Sequence, residues 1–178
     1  MKEYFLRTER LGFATWKPED FPEAFELWGD PEVTKYIKSG GFQADEVRQR
    51  LKKEMDNFLI NGVQYWPIYL LETNQHIGCC GLRPFKPEEQ MLEIGIHLKQ
   101  KYWSYGYAKE ACAAVIAYAF HTLHIQVLVA GHHPKNQASA QLLKKLGFVY
   151  SHDEFYPPTG LMHPSYRITR ADYLGVKL

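Results

Sequence analysis

The chain has 178 residues, with 21 lysines and arginines against 20 aspartates and glutamates, so its formal net charge is +1. Hydrophobic residues make up 46% of the sequence and charged residues 23%, a composition that is typical of a globular protein and excludes a disordered one. A charge balance this close to neutral creates no general field that would attract nucleic acid or an anionic membrane. The length fits a single domain, 1–178, in which any anion site has to be built locally.

The cysteines and the N-terminus bear on the cellular compartment. Cys79, Cys80 and Cys112 show neither a disulfide framework nor a metal-ligand spacing, and the first residues lack the apolar segment of a secretory signal. Residues 111–134 contain no Asp, Glu, Lys or Arg, but their periodicity changes midway, which predicts a buried helix followed by a buried strand. We therefore expect a cytoplasmic protein with reduced cysteines, no membrane association and no metal site.

The pattern in the first part of the chain predicts a strand followed by three helices. The strand is expected at 11–16, and the first helix begins at Asp20 with Glu23 as its capping-box partner. A short helix follows Asp30-Pro31, and an amphipathic helix ends near Gly62.

In the rest of the chain the spacing of hydrophobic residues switches several times between the strand period and the helix period. Three β-rich runs, 65–71, 76–82 and 91–98, predict an antiparallel meander. Helices at 106–120 and 136–146 then alternate with strands at 126–131, 148–152 and 166–169, and 156–164 is expected to be a loop. The fold class is therefore α/β, with a mixed sheet flanked by helices.

The most informative stretch is the turn between the strand 93–98 and the next helix. Gly106 and Ala108 let a bound group approach the backbone closely, and the free N–H groups of the first helical turn favour an anion. With Lys109 just inside the helix, the turn predicts a phosphate or pyrophosphate site; the alternative is a tight turn in which Gly106 only relieves strain. A P-loop is excluded because Gly106 is followed by Tyr107-Ala108, and a Rossmann fingerprint needs three glycines where this turn has one.

The same residues carry a resemblance to a known family. Trp103-Ser104-Tyr105-Gly106-Tyr107-Ala108 resembles the Gln/Arg-x-x-Gly-x-Gly/Ala motif of the GCN5-related N-acetyltransferases (GNAT), with Trp in the opening position. Asn136 to Ser139 followed by Leu142 to Phe148 resembles the second cofactor-side helix of that family. Thr8-Glu9-Arg10-Leu11, with Asp20 and residues 30–33, is similar to the branch that contains the ribosomal-protein-alanine N-acetyltransferases. The likeness covers nearly the whole chain.

The resemblance implies a GNAT-type fold with a mostly antiparallel central sheet, acetyl-CoA as cofactor and an amine as acceptor. The backbone amides of the turn would hold the CoA pyrophosphate, and the preceding strand would pair with the pantetheine amides as if with an added strand. The positions that it places on the cofactor are Ile96, His97, Leu98, Trp103, Ser104, Tyr105, Gly106, Tyr107, Ala108, Lys109, Asn136 and Ser139.

Acetyl transfer also needs an oxyanion donor, a base and an acid. A backbone N–H near Leu98 is the expected donor, and Glu93 is the candidate that accepts the amine proton through water, unless it is only a solvated strand-end carboxylate. Many GNAT members carry a Tyr acid seven residues after the conserved Asn, where this chain has Leu143. Ser139 is the replacement candidate; the alternative is that it only caps its helix.

The acceptor is left open by the sequence. A protein α-amine with a pKa of about 7.7–8.0 is roughly a tenth neutral at pH 7, whereas a lysine amine is neutral about once in a few thousand, which favours an α-amine, such as a protein N-terminus. A small-molecule acceptor of the antibiotic or polyamine kind and a CoA-binding sensor or catalytically weak partner-binding module stay open as alternatives. Direct RNA binding is disfavoured, since only Lys99 and Lys101 flank the aromatic run. Trp66, Phe85 and the loop 156–164 are expected to wall the acceptor pocket of a monomer or homodimer.

Overall fold

The computed structural model describes residues 2–175. Its strands are β1 (Leu6–Arg7), β2 (Leu11–Phe13), β3 (Tyr65–Leu70), β4 (His76–Lys86), β5 (Met91–Leu98), β6 (Val127–Gly131), β7 (Val149–Tyr156) and β8 (Leu161–Thr169). They form one sheet in the order β1-β2-β3-β4-β5-β6-β8-β7. Six of the seven neighbouring pairs are antiparallel and only β5 and β6 are parallel. The predicted mixed, mostly antiparallel sheet is confirmed.

The helices cover both faces of this sheet. They are α1 (Phe21–Trp28), α2 (Pro31–Thr34), α3 (Ala44–Asn61), α4 (Tyr107–Ala117), α5 (Gln137–Lys145) and α6 (Arg170–Leu174), and α4 continues into a π-helical turn at Tyr118–Thr122. Side chains of α1 and α3, such as Trp28 and Leu51, form one core with Tyr65 and Cys79 of the sheet. Side chains of α4 and α5 form a larger core on the opposite face.

Two local predictions are wrong. Asp20 does not cap α1: residues Pro18–Asp20 form a 3-10 turn, and the Asp20 carboxylate accepts a hydrogen bond from the Lys17 N–H. The segment 156–164 is not a loop, because β7 and β8 form a hairpin whose turn occupies only residues 157–160. All eight residues of β7 are exposed, so the alternation of buried and exposed residues that marks a half-buried strand is missing there.

The parallel strands β5 and β6 separate after a short contact. They pair only at Met91↔Val127, Leu92↔Leu128 and Glu93↔Val129. Beyond that point β5 stays with β4 and β6 stays with β8. The edge of β5 over residues 94–98 therefore faces a gap in the sheet.

No helix within residues 2–175 combines the length and the apolar character that a membrane crossing requires.

Candidate active site

The backbone of β5 alternates between its neighbour β4 and the gap. The Lys99 N–H donates to the Ile77 carbonyl at 2.9 Å, and the β4–β5 register runs without a break from there to Pro84↔Leu92. Because successive residues of an antiparallel strand direct their backbone groups to opposite sides, Gly95 and His97 bond toward β4 while Ile96 and Leu98 face the gap. The Leu98 carbonyl accepts a 2.8 Å hydrogen bond from the Trp103 indole. The Leu98 N–H and both backbone groups of Ile96 are thus directed into the gap.

The turn that follows β5 is shaped to receive a ligand at the start of α4. Ser104 and Gly106 are both left-handed, with φ of 67° and 82°. No side chain among residues 2–175 caps the N-terminus of α4, so the first N–H groups of the helix have no capping partner there. A Cβ atom at Gly106 would meet only the Arg10 Nη2 atom, at 3.6 Å. This turn has the open backbone and uncapped donors that a diphosphate needs.

A cluster of side chains from the N-terminal strands holds this turn in place. The Glu110 carboxylate accepts hydrogen bonds from the Thr8 hydroxyl at 2.6 Å, the Arg10 N–H at 2.9 Å and the Arg10 Nε at 2.7 Å. Arg10 also donates to the Tyr105 carbonyl at 3.1 Å and lies 4.5 Å from the centre of the Tyr107 ring. Although burial opposes it, these hydrogen bonds lower the pKa of Glu110. In the sequence Thr8 and Arg10 stand out only as a family signature, and no local pattern points to Glu110.

The N-terminus of α5 lies on the other side of the gap. Since β5 and β6 are parallel, their C-terminal ends lie at the same end of the sheet, and α4 and α5 start from the segments that follow them. The Asn136 side chain accepts a hydrogen bond from the Ser139 N–H at 3.1 Å, so Asn136 caps α5. Ser139 is half-buried, and its hydroxyl makes no hydrogen bond within residues 2–175. Leu143 is buried in the core beneath α5.

Glu93 lies on the opposite face of the sheet from α4, next to a tyrosine that the sequence analysis missed. The Tyr65 hydroxyl donates to the Glu93 carboxylate at 2.9 Å. The Tyr65 ring lies directly over Gly95, and the Arg83 guanidinium is 3.9 Å from the ring centre. Burial, followed by the charge of Glu93, raises the pKa of Tyr65 well above its usual range. Tyr65 therefore stays protonated and acts as the donor that orients Glu93.

His97 lies farther along the same face and is a weak base. Its Nδ1 atom accepts a 3.2 Å hydrogen bond from the Trp28 indole and lies 3.6 Å from the Cys79 sulfur. Burial, with the charges of Arg50 and Arg83, holds the pKa of His97 well below its usual range. Burial also raises the pKa of the Cys79 thiol to about 12. Neither side chain is suited to accept a proton or attack an acyl group at neutral pH.

The segment after α2 reaches across the end of the gap. The Tyr36 ring stacks on His133 at 5.0 Å, and the Lys35 ammonium lies 5.8 Å from the Trp103 ring. Trp66, by contrast, is on the wrong face for the expected pocket wall, because it packs against Phe5 and Tyr118 on the α4 side. Phe85 lies at a bulge in β4.

Within residues 2–175, no group of three or more His, Cys, Asp or Glu side chains converges on a point where a metal ion could bind. The adjacent His132 and His133 have separate stacking partners, Tyr166 and Tyr36.

Comparisons with family profiles, curated proteins and solved structures all find acetyltransferases. The family profile described as Acetyltransferase (GNAT) domain matches residues 10–149. The chain is 33% identical over 144 residues to the uncharacterized N-acetyltransferase p20 of Bacillus licheniformis, an alignment that covers 80% of this chain and 81% of that protein. The narrower likeness to the ribosomal-protein-alanine branch stays a prediction.

Solved structures share the fold. A GNAT-family acetyltransferase from Bacillus anthracis superposes with a TM-score of 0.80 at 25% identity, over 93% of this chain and 98% of that one. The spermidine N-acetyltransferase of Vibrio cholerae, in complex with CoA and spermine, superposes with a TM-score of 0.78 over 94% of this chain and 99% of that one; its 16% identity supports a common fold alone. Together with the domain match, these likenesses show that the chain belongs to the GNAT family and is an acetyl-CoA-dependent acetyltransferase.

Proposed function

We propose that the chain transfers the acetyl group of acetyl-CoA to a primary amine, and that both substrates meet in the gap between β5 and β6. The observation that carries this proposal is the continuity of the site. The free edge of β5 at residues 94–98 leads directly into the turn whose helix, α4, has no side-chain cap. A ligand anchored by its diphosphate at that turn can extend along the strand and hydrogen-bond to it.

The residues present fit acetyl-CoA along this path. The amides of Ser104 to Lys109 are the groups that would hold the pyrophosphate, and Ile96 and Leu98 have the backbone groups available for pantetheine. His97 lies between these two residues, but its backbone pairs with Cys79 of β4 and is not available to pantetheine. Trp103 keeps the Leu98 carbonyl occupied, and Asn136 and Ser139 bound the path from α5. When bound, acetyl-CoA supplies the activated thioester.

The chain supplies groups for the charges and protons of an acyl transfer. The Leu98 N–H, and the Ile96 N–H beside it, are the donors that face the gap and can stabilise developing negative charge on a carbonyl oxygen. Glu93, oriented by Tyr65, accepts the proton of the amine. Ile96 is three residues from Glu93, about 10 Å along an extended strand, so this proton travels through water. Ser139 is the candidate that protonates the departing thiolate.

The acceptor that suits this site best is an α-amine, because a weak base and a serine acid give little help in deprotonating a lysine side chain. The test is a thiol-release assay with acetyl-CoA and a panel of amines, next to calorimetric titration of acetyl-CoA. Release with peptide α-amines that exceeds release with Nα-acetyl-lysine is the expected result. Tight binding of acetyl-CoA with no thiol release over the panel would contradict the proposal and favour a CoA-binding module.

The matched variants are Glu93→Gln and Glu89→Gln. Both remove one carboxylate, but Glu89 lies in the exposed 3-10 turn between β4 and β5. Loss of activity in Glu93→Gln alone supports the proposal, and equal activity of the two variants would remove Glu93 from it.

A further inference from the structure

Arg50, in the middle of α3, forms no ion pair with any residue between 2 and 175. Its guanidinium lies 5.0 Å from the ring of Trp28 and 5.3 Å from the ring of Phe42. Its Nε atom is shielded from solvent and has no hydrogen-bond partner within residues 2–175, and the side chain forms no ion pair there. Two aromatic rings thus lie beside the planar group while its buried Nε donor has no partner within residues 2–175.

The carboxylates one helical turn away are the usual partners of such an arginine, and both are engaged elsewhere. Glu46 forms an ion pair with Lys38 and accepts from the Gln43 N–H. Glu54 forms a buried ion pair with Arg83 and accepts from the Tyr65 N–H at 2.8 Å. Neither carboxylate forms an ion pair or a hydrogen bond with Arg50 within residues 2–175.

The surroundings of Arg50 compensate its charge only in part. Burial and the neighbouring charge of Arg83 lower the pKa of Arg50, and the opposing charge of Glu54 does not cancel their effect. A guanidinium still stays protonated in a protein, and a partly desolvated cation with unsatisfied donors is unfavourable unless an anion joins it.

Arg50 lies on the same face of the sheet as Glu93, the proposed base. Its guanidinium lies beside Trp28, whose indole donates to His97 of β5, and its charge acts on His97. Glu93 precedes His97 by four residues on the same strand and on the same face. Tyr65, whose hydroxyl donates to Glu93, also interacts with the charge of Arg50, so the guanidinium and the proposed base lie in one neighbourhood of this face.

We propose that the acceptor amine carries a carboxylate and that Arg50 binds it. The inference rests on the proposed acetyl transfer and narrows its acceptor to acidic amines, of which a peptide α-amine with a nearby carboxylate is the form that the site suits best. The planar guanidinium fork matches the two oxygens of a carboxylate. Polyamines, which bear no carboxylate, are expected to be poor acceptors.

The first experiment compares matched acceptors in the thiol-release assay with the intact protein. Asp-Ala-amide against Asn-Ala-amide tests a side-chain carboxylate, and Ala-Ala against Ala-Ala-amide tests a C-terminal one. For at least one pair we expect kcat/KM of the acid to exceed that of the amide by about tenfold, with spermidine below both acids. Release that is equal within each pair would overturn the carboxylate site and leave acetyl transfer intact. Absence of release with every amine would instead be a failure of the proposed function.

The second experiment uses variants of α3. Arg50→Met keeps the packing of the stem and removes the charge, while Arg50→Lys keeps the charge and loses the fork. Arg48→Met is the control, because Arg48 is exposed and paired with Asp45. We expect the preference for the acid to disappear in Arg50→Met, to shrink in Arg50→Lys and to persist in Arg48→Met.

The readout that does not depend on turnover is calorimetric titration of the acetylated product pair, N-acetyl-Asp-Ala-amide and N-acetyl-Asn-Ala-amide, with acetyl-CoA affinity as the check on folding. A preference for the acid that survives in Arg50→Met and Arg50→Lys, or that is lost equally in Arg48→Met, would overturn the assignment.

Discussion

Tyr65 reaches Glu93 only because residue 95 is a glycine. A Cβ atom at that position would lie 2.3 Å from the Tyr65 hydroxyl oxygen, and the hydrogen bond between Tyr65 and Glu93 is 2.9 Å long. Tyr65 of β3 and the two residues of β5 form one unit in which the glycine makes room, the tyrosine orients and the glutamate is the proposed acceptor of the proton.

This unit makes the first prediction. Tyr65→Phe keeps the ring and removes the hydroxyl, and since a hydrogen bond to a charged group is worth about 1.5–3 kcal/mol we expect kcat to fall roughly tenfold to a hundredfold. Gly95→Ala should lower kcat at least as much because it displaces the ring. Steady-state kinetics measure the effect, and the affinity for acetyl-CoA should stay unchanged. A Tyr65→Phe protein with full activity would show that the hydroxyl does not serve Glu93.

The second prediction separates the ligand role of Gly106 from its backbone strain. Gly106 and Gly62 are both left-handed, with φ of 82° and 71°, so alanine at either position should cost about 1–2 kcal/mol of unfolding free energy. Gly62 ends α3, and a Cβ atom there would meet nothing within 4 Å. Only Gly106→Ala should also weaken acetyl-CoA in calorimetric titration; equal affinities of the two variants would contradict a ligand role for the turn.

The third prediction concerns the contacts that position this turn. Arg10→Gln breaks the ion pair with Glu110 and the hydrogen bond to the Tyr105 carbonyl. We expect acetyl-CoA affinity to fall about tenfold, the equivalent of about 1.4 kcal/mol. Lys52→Gln is the control, because the Lys52–Asp56 pair is exposed on α3, and such pairs contribute little. An Arg10→Gln protein that binds as tightly as Lys52→Gln would show that the turn is rigid without the arginine.

The fourth prediction is a loss of stability in mild acid. Burial, with the nearby charge of Lys99, lowers the pKa of His76 from 6.5 to about 3. Between these values the unfolded chain binds a proton that the folded chain does not, so the free energy of unfolding should fall as the pH drops from 6.5, by about 2 kcal/mol at pH 5 from this residue. Burial lowers the pKa of His97 as well, and its effect has the same sign.

Chemical denaturation at pH 7 and pH 5 tests the loss of stability attributed to His76. Between pH 7 and pH 5, His76→Gln should lose less stability than the unsubstituted protein does. The same replacement at the exposed His121 is the matched control variant. Identical pH dependence of His76→Gln and the unsubstituted protein would rule out His76 as the source.

The fifth prediction distinguishes chemistry from capping on α5. Asn136 provides the cap, so Asn136→Ala should cost about 1 kcal/mol of unfolding free energy. Ser139 contributes only its backbone to that cap, so Ser139→Ala should leave stability nearly unchanged and lower kcat if its hydroxyl supplies the thiolate proton. Thermal unfolding and kinetics measured on both variants give the comparison. A fully active Ser139→Ala protein would remove the serine from the mechanism.

The sequence allowed local structure to be predicted where one residue carries a strong conformational preference. α3 ends at Gly62, which has the left-handed conformation that favours glycine there, and Asp30 caps α2 as its Asp-Pro start indicates. The meander and the turn at Gly106 were likewise predictable, because their signals are local. The meander shows as short β-rich runs, and the turn shows as a glycine between a strand and a helix. The motif at residues 103–108 also allowed the GNAT family to be predicted.

The missed residues depend on contacts between distant parts of the chain. Thr8 and Arg10 meet Glu110 across about a hundred residues of sequence. In β3 the side chains of residues 65–69 are all buried, so no alternation indicates which of Tyr65 and Trp66 faces Glu93. The unpaired state of Arg50 could not be predicted either, since Glu46 and Glu54 stand at the spacing of ideal helical partners and are diverted by Lys38 and Arg83.

The brief contact of β5 with β6 has a mechanical consequence. In the part of the chain that the structure describes, three residue pairs are the only ladder between the first five strands and the β6-β8-β7 group. A molecule that hydrogen-bonds along the free edge of β5 and also contacts β6 would add interactions beyond the last β5–β6 pair. It would thereby stabilise this junction, here called the seam, between the two parts of the sheet. We expect occupancy to slow amide hydrogen exchange on both flanks of the seam together, so that filling the cleft also stiffens the protein.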